Sequence, residues 1–402
     1  MAIPSLLNKC YAFTEAEESR QSGAYPFFRP IEGFSGSHVI IEGKRLFMAG
    51  SNNYLGLAVD DRVKKAAAQA VLDYGSSCSG SRFMNGSLDL HENLEKRIAA
   101  FTKKEAALCF TTGYQANLGA VQALLGRGDH VFIDKSSHAS IFDGLFLATG
   151  MMKQVNMHRY GHCDMEDLEN KLKRLPLETN KIIVTDGVFS MEGTIADLPT
   201  LRTLADKYNA VLYLDEAHAY GVIGKTGRGT EEHYNYQASA DIIMCTFSKS
   251  FGSIGGFIAG SFEVIDFIKH FSRPLMFSAS MPPANIVAAQ TALDIVESEP
   301  FRVQRLQEVA AKMIKGFTDI GFNIGHTQTP IIPIIIGDNE RTFEFWHRLF
   351  EENIYVNPVI SPAVPPNMAL LRTSYMAIHK DEDLDKFLNI AEHLGRKLKL
   401  IP

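Results

Sequence analysis

The chain has 402 residues, of which 46% are hydrophobic and 21% charged, and a formal net charge of −6. That length supports a large core and more than one domain. The mild acidity argues against nucleic acid or an anionic membrane as the main partner, because both require a basic surface. No apolar run approaches the roughly 20 residues that span a bilayer. The start Met1-Ala2-Ile3-Pro4-Ser5 lacks a secretory pattern. Five scattered cysteines with no C-x-x-C predict neither a disulfide framework nor a zinc site, so no metal is expected and a reducing cytoplasm is the expected compartment.

In chain order, residues 1–58 read as an N-terminal segment. An alanine-rich helix over 61–74 closes at Gly75, and a second helix over 89–101 carries Leu90, Leu94, Ile98 and Phe101 on one face. Short apolar strands follow at 107–110, 130–133, 181–185, 211–214, 241–246 and 256–259, mostly separated by helical patterns. That alternation predicts an α/β fold: a mainly parallel central sheet with helices on both faces, spanning 59–283. Ligands then gather at the carboxyl ends of the strands. From Pro282-Pro283 onward, helices at about 284–297 and 300–318 precede strands at 331–336 and 369–374 and helices at 341–352 and 381–396. Residues 284–402 therefore read as a smaller α+β domain.

Several residues fall just past predicted strand ends. Thr111-Thr112-Gly113-Tyr114 opens a helix, and free N–H groups there suit a phosphate, although an ordinary Thr cap reads the same way. His138 lies in Ser136-Ser137-His138-Ala139, where a structural histidine is the plain alternative. Ser190 lies in Asp186-Gly187-Val188-Phe189-Ser190 and is a hydrogen-bond donor or a turn residue. Four apolar residues, 211–214, deliver Asp215 to a strand end. A carboxylate there needs a cation or donors, and a protonated pyridine nitrogen is such a partner. Lys249 follows Ile242-Ile243-Met244 and sits among Thr246, Ser248 and Ser250, ahead of Gly252. Desolvation there lowers an amine pKa and frees the lone pair for imine formation with a carbonyl cofactor. In this order, each after its own strand, the set fits pyridoxal 5′-phosphate (PLP).

Asp215-Glu216-Ala217-His218 also spells the box of DEAH helicases, and Gly221-Val222-Ile223-Gly224-Lys225-Thr226 loosely matches a phosphate loop. Such a loop must leave a strand and open a helix. Here it leaves the acidic box itself and runs into Gly227-Arg228-Gly229, so an NTPase is a distant alternative.

The chain resembles the PLP-dependent α-oxoamine synthases of the fold-type-I class. The segments that carry the likeness are Asn52-Asn53-Tyr54-Leu55-Gly56, Gly80-Ser81-Arg82-Phe83 with His91, Thr112-Gly113-Tyr114-Gln115-Ala116-Asn117, Asp215-Glu216-Ala217-His218, Thr246-Phe247-Ser248-Lys249 and Arg372-Thr373-Ser374-Tyr375. The resemblance implies that Lys249 holds the cofactor as an imine and moves protons at the substrate α-carbon. It implies that Asp215 pairs with the ring nitrogen, that His218 and Ser190 bond the ring hydroxyl oxygen, and that His138 stacks on the ring. Gly113, Tyr114, Thr246 and Ser248 would hold the cofactor and its phosphate. Ser278 and Ala279 would reach the phosphate of the neighbouring subunit in a homodimer with active sites at the interface. Asn53 and Arg372 would meet the amino-acid substrate.

Members of the family join an amino acid to an acyl-CoA with loss of CoA and CO2. Tyr25-Pro26-Phe27-Phe28-Arg29-Pro30, Gly50-Ser51-Asn52-Asn53 and Asn357-Pro358-Val359-Ile360-Ser361-Pro362 are most similar to the branch that uses L-serine and a long-chain acyl-CoA to make 3-ketosphinganine. Branches that use glycine with acetyl-CoA or alanine with pimeloyl-CoA are the alternatives. Two departures stand out. Ile360 replaces an arginine present in some serine-using members, and Ser278 replaces a more usual threonine while keeping the hydroxyl. The amphiphilic product allows peripheral contact with the inner membrane.

Overall fold

The computed structural model describes residues 5–21, 23, 25–150, 154–361 and 363–402, so Met1–Pro4 of the N-terminal reading and Pro362 of the last family-like segment lie outside the described residues. The strands are β1 (Gly33–Ser35), β2 (His38–Ile41), β3 (Lys44–Met48), β4 (Ala106–Phe110), β5 (His130–Asp134), β6 (Asn156–Tyr160) and β7 (Lys181–Asp186). They continue with β8 (Ala210–Asp215), β9 (Ile242–Thr246), β10 (Gly256–Gly260), β11 (Ile331–Gly337), β12 (Ile354–Tyr355), β13 (Asn357–Val359) and β14 (Ala369–Ser374).

Seven of these form the central sheet, in the order β4-β10-β9-β8-β7-β5-β6. β6, β5, β7, β8 and β9 pair in parallel, and β10 lies antiparallel between β9 and β4. Every strand of this sheet except β10 therefore runs the same way, and the carboxyl ends share one edge. Side chains alternate between the faces of a strand. In β9, Ile242 and Met244 enter one apolar core while Ile243 and Cys245 enter the other. In β5, Val131 and Ile133 face one core and Phe132 the opposite one. Burial on both faces is why these strands read as unbroken apolar runs, and each buried aliphatic side chain contributes roughly 1.5–3 kcal/mol. The edge strand β6 did not stand out in the sequence. Of its five residues only Tyr160 is buried, as suits an edge open to solvent.

β1, β2 and β3 extend the small domain. β3 pairs in parallel with β12, and Val39, Ile41, Leu46 and Phe47 share a core with Met313, Phe317, Trp346 and Phe387. β11, β14 and β13 form an antiparallel sheet beside them. After β3 the chain leaves this core. Tyr54, Leu55 and Leu57 already pack in the core of the large sheet. At the crossing Ser374 N–H donates to the Ala49 carbonyl (2.9 Å) and Ser374 Oγ to the Ser51 carbonyl (2.8 Å), which sets Asn52 and Tyr54 beside β14. Among the described residues, no helix is long and apolar enough to cross a membrane.

Candidate active site

A cavity of about 290 Å³ opens at the carboxyl edge of the large sheet, and Gly113, Tyr114, His138, Asp215, His218, Thr246, Ser248 and Lys249 all line it. Lys249 stands three residues past the end of β9. Desolvation within the cavity lowers its ε-amine to about 8, although Asp215 pulls the other way. The amine is thus closer to its neutral, nucleophilic form than a surface lysine is.

Asp215 ends β8 with the parity of Tyr213, so both point to the face covered by the helix Gly113–Leu124. Asn117 on that helix meets them. Its Nδ2 donates to Asp215 Oδ2 at 2.7 Å and to Ser140 Oγ at 2.9 Å, while its Oδ1 accepts the Tyr213 hydroxyl at 2.7 Å. Ala217 N–H donates to the other carboxylate oxygen at 2.9 Å. These donors compensate the burial of Asp215, which is 3% exposed. Ser140 Oγ lies 2.7 Å from His138 Nδ1, and Ser140 N–H also points at that nitrogen. Nδ1 is then the acceptor and Nε2 carries the proton, an assignment made from the network. Desolvation lowers the His138 pKa against the pull of Asp215, which agrees with a neutral ring. Asp186, beside Asp215 in register, accepts His138 N–H at 3.2 Å.

The helix Gly113–Leu124 begins at the cavity. Thr112 Oγ1 caps it by accepting Gln115 N–H at 3.1 Å, and the first-turn amides have no intrahelical acceptor. With the Ser248 and Thr246 hydroxyls, 2.9 Å apart, they form an anion-binding end. Gly113 is required by close packing: a Cβ there would stand 2.6 Å from Thr246 Cβ. An anion site at one end, a buried carboxylate and a lowered amine fit a pyridine ring bearing an aldehyde and a phosphate.

Lys249 and Ser248 also line a second cavity of about 480 Å³ that runs between the domains past Ile31, Phe34, Met48, Asn52, Asn53 and Met376. Near it Arg372, only 7% exposed, donates from Nε to the Ser190 carbonyl (2.7 Å) and from Nη2 to Asn52 Oδ1 (2.9 Å). Tyr54 OH lies 2.7 Å from His218 Nδ1 and donates to Asn52 Oδ1 at 3.3 Å. His218 is buried, and desolvation, followed by Lys249 and Arg372, holds its pKa well below the usual histidine value.

A model of the aminotransferase class I and II family matches residues 47–390. The chain belongs to this family. It is 46% identical to a serine palmitoyltransferase of Sphingobacterium spiritivorum over 386 residues, 96% of each chain. A serine palmitoyltransferase structure solved with a PLP internal aldimine superposes with a TM-score of 0.94 at 33% identity, covering 99% of this chain and 100% of that one. An 8-amino-7-oxononanoate synthase of Thermoanaerobacter pseudethanolicus is 40% identical over 386 residues, again 96% of each chain. The fold is that of the fold-type-I PLP transferases, and membership excludes the helicase-like reading of Asp215–His218. Tyr220 makes an isolated antiparallel bridge with Arg228 and residues 221–227 form the turn and bends between them, with Glu216 buried and accepting the Thr230 N–H and hydroxyl.

Within this family fold, the residues expected to hold PLP fall in three places. Gly113, Tyr114, His138, Asp215, His218, Thr246, Ser248 and Lys249 line one cavity. Ser190 stands outside its lining and supplies the carbonyl that holds Arg372. Ser278 Oγ accepts Gln115 Nε2 at 3.0 Å and the Ala279 carbonyl accepts Thr111 Oγ1 at 2.6 Å, so both are tied to the start of the capped helix in their own subunit. Asn52 and Asn53 line the second cavity, where Asn52 meets Arg372 whereas Asn53 Oδ1 accepts Ala58 N–H at 3.2 Å. Asn117, Ser140, Asn52 and Tyr54 did not emerge as site residues from the sequence. Asn117, Asn52 and Tyr54 sit inside the quoted motifs, which was their one signal.

Proposed function

We propose that the chain condenses L-serine with a long-chain acyl-CoA to give 3-ketosphinganine, CoA and CO2, as serine palmitoyltransferases do. The observation that carries this reading is the position of Lys249, shared between a cavity built for PLP and a second, larger cavity between the domains. PLP supplies an electron sink for the bond-breaking steps at the amino-acid α-carbon.

The protein's own residues do the rest. Asp215, fixed by Asn117 and Ala217, holds positive charge at the ring nitrogen. His138, fixed by Ser140, would pack on the ring, His218 would reach the ring hydroxyl from the cavity lining, and Ser190 would approach it from outside that lining. Gly113, Tyr114, Thr246 and Ser248 hold the phosphate, with Ser278 and Ala279 contributed across a homodimer interface. The exposure of Phe277 (71%) next to Ser278 supports such an interface. Arg372 and Asn52, with Asn53 near them, orient the serine carboxylate. Lys249, with its lowered pKa, accepts the α-proton of serine. The serine α-carbon then bonds to the acyl carbon, the thioester C–S bond breaks, CoA leaves as the thiol, the carboxyl group departs as CO2, and Lys249 returns a proton to the α-carbon. The amphiphilic product favours release at a membrane surface, and co-sedimentation with lipid vesicles tests that contact.

The deciding experiment mixes the PLP-loaded protein with serine, glycine or alanine, each against acetyl-, pimeloyl- and palmitoyl-CoA, and weighs the products by mass spectrometry. 3-Ketosphinganine as the main product supports the proposal. An alanine–pimeloyl product instead assigns the chain to the 8-amino-7-oxononanoate branch.

A further inference from the structure

His162 lies outside the cavity, yet its ring ties together loops that carry site residues. Nδ1 is 3.2 Å from Asp134 Oδ1 and Nε2 is 2.8 Å from Thr194 Oγ1. Asp134, 1% exposed at the end of β5, also accepts Ser136 N–H (2.8 Å) and Cys163 N–H (2.7 Å). Two residues beyond Ser136 is His138. Thr194 belongs to the loop that carries Ser190, where Phe189 N–H donates to the Thr194 carbonyl at 3.0 Å. The Phe189 ring stands edge-on to His162 with centroids 4.4 Å apart. A second tie joins the same two loops: Ser136 Oγ donates to Glu192 Oε1 at 2.7 Å.

The charges around the ring agree with a structural cation. Burial alone would lower the His162 pKa, but the Asp134 carboxylate, with the Cys163 thiol behind it, holds it at about 10. A protonated imidazole has two donors and no acceptor, and the two oxygens at its nitrogens satisfy both.

We propose that His162 is a positioning residue that fixes the loop bearing His138 against the loop bearing Ser190, and so sets the distance between the side chain over the PLP ring and the one at its edge. This rests on the PLP reading given above. The ring touches neither cofactor nor substrate, so its effect passes through Asp134 and Thr194.

The test compares wild type, His162→Gln, Thr194→Val and Asp134→Asn, each loaded with PLP. It measures the PLP dissociation constant, the visible circular dichroism of bound PLP, and thermal stability. Visible dichroism reports the asymmetric setting of the ring, and the melting temperature reports general loosening separately. Thr194→Val keeps the His162–Asp134 pair and the Ser136–Glu192 tie and cuts only the hydrogen bond from His162 to the Ser190 loop, so it disturbs the fold least of the three. The expected result is a roughly tenfold rise in PLP dissociation constant and a changed dichroism band in Thr194→Val, with a loss of only a few degrees in melting temperature for the hydrogen bond removed from His162 Nε2. His162→Gln is expected to show a larger change of the same kind. Wild-type dissociation constant and dichroism in Thr194→Val and in the folded fraction of His162→Gln would overturn the proposal while leaving PLP binding intact. A wild-type protein that takes up no PLP would overturn both readings together.

Discussion

Asn117 Nδ2 donates to Asp215 Oδ2 at 2.7 Å while Asn117 Oδ1 accepts the Tyr213 hydroxyl at the same distance. One amide thus orients the carboxylate proposed to pair with the ring nitrogen, and through Ser140 it also steadies His138. Asn117→Ala removes three hydrogen bonds and leaves the buried Tyr213 hydroxyl without its acceptor. Stability should fall by roughly 1–3 kcal/mol, and PLP affinity about tenfold. Denaturant melts and PLP titration measure the two effects separately. Unchanged PLP affinity would remove Asn117 from the site.

Lys249 predicts a pH dependence. Its folded pKa of about 8 lies below the ordinary lysine value of 10.5. The unfolded chain therefore binds more protons between those pH values, and stability of the PLP-free protein rises with pH across that window. His162 acts in the opposite sense. Its pKa is raised to about 10, so its stabilisation is full below the unfolded value of about 6.5 and is lost as pH climbs through 10. The difference between wild type and Lys249→Met isolates the lysine contribution. It should shift in favour of wild type from pH 8 to 10.5. Capture of PLP by wild type, trapped with borohydride, should rise to half its maximum near pH 8.

The chemistry was more legible in the sequence than its support. Asp215 ends a buried strand and Lys249 follows another by three residues, and a short apolar run that stops at polar residues marks such positions in any single sequence. Asn117 could not be assigned in the same way. Its role depends on which strand its helix covers, and that pairing joins residues 98 positions apart. Asn52 and Asn53 are adjacent and identical in type, so only the crossing between domains decides that Asn52 faces Arg372. The insertion of β10 between β9 and β4 is equally non-local, since Gly256–Gly260 reads as a strand without naming its neighbours. β2 and β3 were hidden because their apolar residues meet partners more than 250 positions downstream, and β1 because its residues stay largely exposed.

Gly113→Ala should weaken PLP binding by overpacking. The added methyl would stand 2.6 Å from Thr246 Cβ and 2.7 Å from Thr246 Oγ1. Thr246 cannot withdraw freely, because its hydroxyl donates to the Gly255 carbonyl at 2.9 Å. The helix start must move away from the strand end, which costs about 1–3 kcal/mol and misplaces the amides that face the phosphate. The affinity for inorganic phosphate or pyridoxal phosphate should drop, while pyridoxal without the phosphate should bind as in wild type. Equal losses for all three ligands would locate the damage elsewhere.

Tyr54→Phe removes only a hydroxyl from a fully buried ring. His218 Nδ1 then loses its partner at 2.7 Å, and Asn52 Oδ1 loses a donor. Packing of the ring is unchanged, so the melting temperature should move by only a few degrees. The expected loss is in kcat/KM, by roughly tenfold for one buried hydrogen bond. A variant with wild-type kcat/KM would show that His218 keeps its orientation without Tyr54.

Arg372→Ala separates substrate binding from cofactor binding. Its guanidinium is held by the Ser190 carbonyl and Asn52 Oδ1 outside the lining of the cofactor cavity, and it acts on Lys249 and His218 only through its charge. Loss of a charge-assisted contact to a carboxylate costs about 1.5–3 kcal/mol, so the serine dissociation constant should rise by one to two powers of ten. PLP affinity should change several-fold at most, through the loop of Ser190. Arg372→Lys keeps the charge but not the planar fork, and should recover only part of the loss. Titration of serine into the PLP-loaded protein, followed in the visible spectrum, gives the first constant, and PLP titration into the cofactor-free protein gives the second. Parallel losses in both would mean that Arg372 supports the Ser190 loop rather than the substrate carboxylate. A serine constant equal to that of wild type would assign the carboxylate to another residue, with Asn52 the nearest polar side chain on that wall.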